Sequence, residues 1–443
     1  MPLAGDPPCT ETHQPNPFRS GLRLFMTLIC GMTFPQEELK MDFIIKLDRF
    51  LIILLIASMV AILTRRLKVP YSVGLVFVGI LLAFFPLFSG IPFTKELIFN
   101  IFLPPLVFEA AIQIRWSNLR SEFFLILILV TAGLFLSAAV TAAGMRYLAD
   151  WAWISALLFG ALIAATDPVS VIATFNEAGV HSRIRLLVEA ESLLNDGTAA
   201  VAFAVILAAA AGGSMTLIGI AGKLALTVGG GVLCGALVAG FIMILERRSG
   251  DNLVEFTLTT VTAYGSFLIA EHFHFSGVLA TLTAGLLVGN LRLMKAGSDD
   301  VRKAITAYWE YLGFLANSFI FIGIGVQVSL QNFKAVIFPA IFAILLVLVG
   351  RACAVYPFCA LFSRSELRVQ GKHQLVLFWG GLRGALALAL AVGLPLWVPH
   401  REEIISVTFA VVAFSIFIQG MSMTPLLRRV GEIPMEDARL LKG

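Results

Sequence analysis

Residues 161–171 of the chain read ALIAATDPVSV, a polar interruption inside an apolar run. Asp167 stands directly before Pro168. Proline lacks a backbone N–H and pushes the preceding residue out of the α region, so the motif predicts an unwound stretch in mid-helix. If the run spans a membrane, the carbonyls freed there cannot face lipid and must line a cavity. The end of a half-helix beside the break would favour the Asp167 carboxylate.

The composition around this motif is typical of a membrane protein. Hydrophobic residues make up 58% of the 443 residues and charged residues only 14%, whereas a soluble domain carries roughly 25% charged residues. The composition excludes a disordered chain, a nucleic-acid binder, a coiled coil and an ordinary cytosolic enzyme. The net charge of +4 implies no acidic partner. The absence of a P-loop motif argues against a nucleotide partner.

The apolar runs predict an all-α polytopic membrane protein with about thirteen transmembrane helices. The predicted spans lie at residues 49–64, 70–88, 95–114, 121–145, 152–176, 184–212, 216–245, 252–271, 276–291, 304–330, 335–362, 373–396 and 404–426. Lys and Arg collect on alternate loops between these spans. By the positive-inside rule this places the C-terminus in the cytoplasm and the N-terminus outside. We expect the protein to lie in the plasma membrane, which in a bacterium is the inner membrane.

Three segments follow from this pattern. Residues 1–40 are rich in Pro and polar residues at their start, and we expect a disordered extension or a start that is not native. Residues 41–430 form the membrane domain. Residues 431–443 form a short cytoplasmic tail.

The sixth span carries a dense set of polar residues, VEAESLLNDGTAA at 188–200. Ser192 and Asp196 share one helix face through i,i+4 spacing, and they offer a hydroxyl and a carboxylate, hard oxygens suited to a small cation. Glu191 and Asn195 share the neighbouring face in the same way. Their carboxylate and amide are suited to holding a guanidinium.

The twelfth span, FWGGLRGALALAL at 378–390, places Arg383 among glycines that allow a second helix break. A charge at mid-bilayer costs about 2.5–3.5 kcal/mol or more, so we expect Arg383 to form a buried ion pair with Glu191. Interrupted helices in each half are typical of transporters with inverted repeats, whose broken helices cross at the bilayer midplane. The third span adds another mid-span carboxylate, Glu109 in FLPPLVFEAAI.

Five stretches of the chain resemble the sodium/proton exchanger family, in particular its NhaP-like electroneutral branch within the monovalent cation/proton antiporters. They are FLPPLVFEA (102–110), ATDPVSV (165–171), ESLLNDG (191–197), FSGVLATLTAGLLVGN (275–290) and GLRGALALAL (381–390). The resemblance covers about residues 45–430. It implies a homodimer of thirteen-helix subunits, each with a dimerisation domain and a moving core domain.

The resemblance also implies roles for individual residues. It assigns cation and proton binding to Asp196 and Asp167, supported by Ser192, the Thr166 carbonyl and, through water, Glu109. It assigns Glu191, Arg383 and Asn195 to a buried ion pair and its network.

These observations lead to the hypothesis of a secondary antiporter that needs no cofactor. It would exchange Na⁺, or alternatively Li⁺ or K⁺, for H⁺ by alternating access through the lipid bilayer, with one charge moving each way. Two other classes remain open from the residues. A cation channel needs a continuous wet pore, which broken helices in both halves disfavour. An intramembrane hydrolase using Asp167 and Asp196 needs a water-access cleft and a substrate gate.

Residues 1–40 are expected to be dispensable, because they lack the apolar pattern of a docked element. A chain that starts at Met41 should insert into membranes and drive cation-dependent proton movement in everted vesicles at the rate of the full chain. Failure of the shortened chain to insert or to transport would contradict this.

Overall fold

In the computed structural model of the protein, the described residues form helices joined by turns and unwound segments, and no strand occurs among them, which confirms the all-α prediction. It describes residues 36–67, 69–85, 94–167, 171–172, 175, 183–212, 217–246, 252–293, 299–331 and 333–432. The chain divides into two units, Met1–Ile52 and Ile53–Gly443. Glu109, Asp167, Asp196 and Arg383 all belong to the second unit. Most of the predicted extension and tail falls outside the described residues.

Seventeen helices are described, and four π-helical turns adjoin some of them. The helices are α1 (Gln36–Leu67), α2 (Tyr71–Leu82), α3 (Lys95–Leu97), α4 (Leu103–Gln113), α5 (Trp116–Ile128), α6 (Leu134–Leu148), α7 (Trp153–Ala164), α8 (Arg183–Ala210), α9 (Leu217–Glu246), α10 (Asn252–His272), α11 (Gly277–Leu287), α12 (Asp299–Leu330), α13 (Phe333–Leu361), α14 (Gly371–Trp379), α15 (Ala385–Val392), α16 (Arg401–Phe414) and α17 (Met421–Val430). The π turns are Ile98–Phe102, Leu129–Gly133, Val288–Leu293 and Ser415–Gly420. Such turns are frequent at functional sites.

Nine stretches within the described residues are long and apolar enough to cross a bilayer. The four remaining predicted spans coincide with shorter or interrupted helices: Tyr71–Leu82, Trp153–Ala164, Gly277–Leu291 and the α14–α15 pair. Large apolar side chains on the outer face of α9, such as Leu237 and Phe241, are exposed, as lipid contact requires. The count of thirteen crossings stays a prediction, because those four elements are short or broken.

Both helix interruptions predicted from the sequence occur in the structure. Helix α7 ends at Ala164, Ala165 adopts φ −55° and ψ 139°, and the chain stays non-helical through Asp167. Pro168 and the two residues after it lie outside the described residues. In the second interruption, residues 380–384 separate α14 from α15 without helical structure.

The two interruptions contact each other directly. The Asp167 N–H donates to the Leu382 carbonyl at 2.7 Å. In the other direction, Arg383 Nη1 donates to the carbonyls of Ala164 and Ala165 at 2.7 and 2.9 Å. Each break therefore supplies donors for carbonyls that the other leaves without intrahelical partners, which is the condition for non-helical backbone away from water.

The π turn Ser415–Gly420 is hydrogen-bonded to both ends of the second interruption. The Arg383 N–H donates to Ser415 Oγ at 2.8 Å, and the Ser415 hydroxyl donates to Gln419 Oε1 at 2.8 Å. The Gln419 amide donates in turn to the Trp379 carbonyl at 3.3 Å. The unwound segment is thus held at both ends by one short stretch of helix.

Helices α2 and α12 cross so closely that two glycines are required at the contact. A Cβ added at Gly79 would lie 2.3 Å from the Ile322 carbonyl oxygen, and one added at Gly325 would lie 2.2 Å from the Val76 carbonyl oxygen. Both neighbours are backbone atoms, so they cannot move aside without separating the helices.

Gly325→Ala should therefore lower the free energy of unfolding by about 1–3 kcal/mol, the usual cost of overpacking. Thermal melts in detergent would measure the loss as a lower Tm. The matched control is Gly222→Ala on α9, where an added Cβ meets nothing within 4 Å and the melting temperature should not fall. Equal melting temperatures for the two variants would contradict the close crossing.

Candidate functional site: an acidic cavity at the two helix breaks

A cavity of about 340 Å³ lies where the two interrupted helices meet. Five carboxylic acids line it, and no Lys, Arg or His does so among the described residues: Glu109, Asp167, Glu189, Asp196 and Glu310. Low-dielectric walls that carry charge of one sign concentrate the oppositely charged ion. The cavity is therefore suited to a cation and unsuited to an anion.

Asp196 on α8 is the acid whose oxygen is left without a partner. The Thr166 N–H donates to this carboxyl group. Oδ1, however, is buried and has no hydrogen-bond partner in the described part of the chain. A buried oxygen left unsatisfied costs about 1–3 kcal/mol, and more when charged. A cation or a proton bound at Oδ1 would remove that cost.

Ser192 and Asn195 hold the unwound end of α7 against α8. The Ser192 hydroxyl donates to the Thr166 carbonyl. The Asn195 amide donates to the Ala164 carbonyl at 2.9 Å and to Thr166 Oγ1 at 3.0 Å. Four of the sequence-predicted site residues, Thr166, Ser192, Asn195 and Asp196, are therefore brought together in one hydrogen-bonded group.

The prediction that Glu191 pairs with Arg383 is wrong. Glu191 forms a buried bidentate ion pair with Arg351 of α13, at 2.7 and 2.8 Å, and Arg351 also donates to the Leu377 carbonyl at 2.9 Å. Arg383 donates instead to the last carbonyls of α7, where the negative end of a half-helix favours a cation. The Asn195 amide donates to the Ala164 carbonyl and the Thr166 hydroxyl, and it does not bind a guanidinium as predicted. Glu191 and Arg383 remain in the buried region, but as members of different contacts.

Arg351 is the functional residue that sequence reasoning missed. It stands alone in an apolar run, AILLVLVGRACAV at 343–355, where an unpaired charge would be costly. That signal is as strong as the one at Arg383, but only one glycine, Gly350, adjoins Arg351, whereas three glycines surround Arg383 in the twelfth span.

Glu109 on α4 lines the same cavity. Its Oε1 accepts a hydrogen bond from the Gln113 amide one turn later, at 2.7 Å. Glu189 and Glu310 also line the cavity, and sequence reasoning did not assign them to the site. The acids of the cavity thus come from α4, α8, α12 and the first helix break.

Comparison with known proteins agrees with this geometry. The family model described as "Sodium/hydrogen exchanger, transmembrane" matches residues 51–429. The chain belongs to the sodium/hydrogen exchanger family. Among curated exchangers, it is 36% identical over 397 residues to the Na⁺/H⁺ antiporter ApNhaP of Aphanothece halophytica, covering 87% of this chain and 75% of the relative.

Two further relatives extend the comparison. The chain is 35% identical over 347 residues to the Na⁺/H⁺ antiporter NhaP of Pseudomonas aeruginosa, covering 76% of this chain and 81% of the relative. Its fold matches the solved sodium proton antiporter MjNhaP1 of Methanocaldococcus jannaschii with a TM-score of 0.66 at 21% identity, over 90% of this chain and 98% of that one. Members of the exchanger family are transporters, so the hydrolase alternative is set aside.

The Glu191–Arg351 contact generates a thermodynamic test. Removing one member of a buried ion pair strands the other charge and costs about 3–5 kcal/mol, whereas removing both costs less. Arg351→Ala should therefore lower the melting temperature in detergent more than Arg351→Ala combined with Glu191→Ala.

The matched control is the same double-mutant cycle for Arg383 and Glu191. Because no direct contact joins these two side chains in the structure, their stability losses should be closer to additive. The reverse pattern, with strong coupling to Arg383 and additivity with Arg351, would contradict the assignment.

Proposed function

We propose that this protein, a secondary sodium/proton antiporter, couples the two ions by letting them compete for one carboxylate, Asp196. The observation that carries the proposal is the buried Oδ1 of Asp196, which has no partner among the described residues. It lies at a cavity that both helix breaks border and whose charged lining residues, among those described, are all acids. The carboxylate can bind Na⁺ or a proton but not both. Exchange then follows from competition, without ATP or a cofactor.

The remaining ligands of Na⁺ would come from the residues grouped around Asp196. Asp167 lines the cavity beside Asp196. Ser192 and the Thr166 carbonyl are hydrogen-bonded to each other, so both oxygens are already fixed near Asp196. Glu109 lines the same cavity and would act through a water molecule. Carboxylate, hydroxyl and carbonyl oxygens are the ligands that a hard cation prefers.

For alternating access, the two helix breaks and α8 would move together as one rigid body, with either Na⁺ or a proton bound to Asp196. A bare Asp196 carboxylate would resist that movement, since carrying an uncompensated charge past apolar walls costs several kcal/mol. This penalty suppresses the empty, ionised carrier and with it uncoupled leak. In this account the protein functions as a homodimer in the plasma membrane, with its C-terminus in the cytoplasm.

Electroneutral exchange is supported by the fixed charges around the site. Asn195 stands next to Asp196 and cannot titrate. Glu191 is locked in its bidentate pair with Arg351. Arg383 donates through Nη1 to two backbone carbonyls, while its buried Nε has no hydrogen-bond partner among the described residues. In our proposal Asp196 alone exchanges one proton for one Na⁺, and the other acids of the cavity keep their protonation state through the cycle.

Asp196→Asn should abolish exchange while the protein still folds, because the amide keeps the shape of the side chain but loses the titratable group. The measurement is Na⁺-driven proton movement in proteoliposomes, with thermal melts to confirm folding. The matched control is Asp150→Asn, which should transport normally. Asp150 is an exposed loop residue with a left-handed backbone conformation, and asparagine tolerates that conformation. Wild-type exchange by Asp196→Asn would overturn the single-carboxylate mechanism.

Transport should be insensitive to membrane potential, because equal charge moves in each direction. The potential is clamped in liposomes with K⁺ and valinomycin, and Na⁺-driven proton movement is measured at several voltages. A rate that changes steeply with voltage would contradict one-for-one exchange and would point to Asp167 as a second proton carrier.

A further inference from the structure

We infer that Gly384 is a positioning residue of the cation site, because its missing side chain leaves the space that the Asp167 carboxylate occupies. A Cβ added at Gly384 would lie 1.9 Å from Asp167 Oδ2, 2.4 Å from its Cβ and 2.5 Å from its Cγ. Real Cβ atoms essentially never show contacts under 3.0 Å. The inference rests on the proposed function, in which Asp167 is a ligand of Na⁺.

The requirement for glycine at this position is one of space and not of backbone conformation. Gly384 has φ −144° and ψ −146°, outside the left-handed region in which glycine is favoured. Flexibility at the break is therefore not the reason for this glycine. The reason is the close approach of Asp167 from the other interrupted helix.

Asp167 has little freedom to move aside. Its backbone N–H is bonded to the Leu382 carbonyl at 2.7 Å, two residues before Gly384 in the same break. The last carbonyls of α7 are in turn held by Arg383, the residue directly before Gly384. The clash also includes the Asp167 Cβ and not only the tip of the side chain. An alanine at 384 must rotate the carboxylate away or separate the two breaks.

Either response moves the Asp167 carboxylate relative to Asp196 in the shared cavity. Loss of a residue that orients a cation ligand typically weakens cation binding by about 10–100-fold. The three heavy atoms nearest to the added methyl group all belong to Asp167, so we expect Asp196 still to exchange protons and to complete the cycle when Na⁺ saturates the site. We therefore expect Gly384→Ala to raise the apparent KM for Na⁺ by about 10–100-fold with a much smaller change in the maximal rate.

The test measures Na⁺-driven proton movement in proteoliposomes over a range of Na⁺ concentrations. The matched control is Gly371→Ala, at the first residue of α14, where an added Cβ meets nothing within 4 Å. The control should keep the wild-type KM. A wild-type KM for Gly384→Ala would overturn the inference.

Asp167→Asn in the same vesicles separates the inference from the proposed function. If Asp167→Asn raises the KM for Na⁺ and Gly384→Ala does not, the positioning role fails and the proposed site stands. If Asp167→Asn keeps the wild-type KM, the ligand role of Asp167 fails, and the inference fails with it.

A second measurement covers the case in which Gly384→Ala is too unstable to transport. Its melting temperature in detergent is compared in two backgrounds, one with Asp167 and one with Asp167→Gly, which removes all the side-chain atoms involved in the clash. The loss caused by the alanine should be large with Asp167 and much smaller with Asp167→Gly. Equal losses in both backgrounds would show that the methyl group does not meet Asp167 and would overturn the inference.

Discussion

The structure depends on the contact between two interrupted helices. Each interruption exposes carbonyls and N–H groups that lipid cannot satisfy. Here the Asp167 N–H bonds to Leu382, and the Arg383 side chain bonds to the last carbonyls of α7. Because the two breaks satisfy each other, polar backbone and carboxylates can be maintained deep in an otherwise apolar protein. The cavity is a consequence of that mutual arrangement.

Two buried arginines near the site bind structural partners. Arg351 neutralises Glu191, and Arg383 neutralises the end of a half-helix. Neither lines the cavity, where Asp196 and Asp167 lie. In the proposed mechanism, the charges that hold the core together are separate from the carboxylates that bind the ion.

The sequence predicted the local features of the site well. The break at Thr166-Asp167 followed from the proline after it, and the second break followed from the glycines around Arg383, because both residue types act on the backbone beside them. The i,i+4 spacing of Ser192 and Asp196 placed them on one side of α8, where the structure finds both near Thr166.

The partner of Glu191 could not be predicted in the same way. Helical spacing gives the direction in which a side chain points, but the partner depends on which helix packs against that face. Two buried arginines were available in the sequence, and only the packed structure brings Arg351 to Glu191. The space at Gly384 is also a property of the packed crossing, since a glycine in an unwound segment suggests flexibility when read from sequence alone.

Competition between Na⁺ and H⁺ at one carboxylate is the central claim, and the pH dependence of Na⁺ affinity tests it most directly. The apparent KM for Na⁺ is measured in proteoliposomes with equal pH on both sides, over a series of pH values. The account predicts that KM rises in proportion to proton concentration at low pH, while the maximal rate at saturating Na⁺ stays constant. A KM that is independent of pH, with protons changing only the maximal rate, would show that the two ions bind at separate groups and would contradict the account.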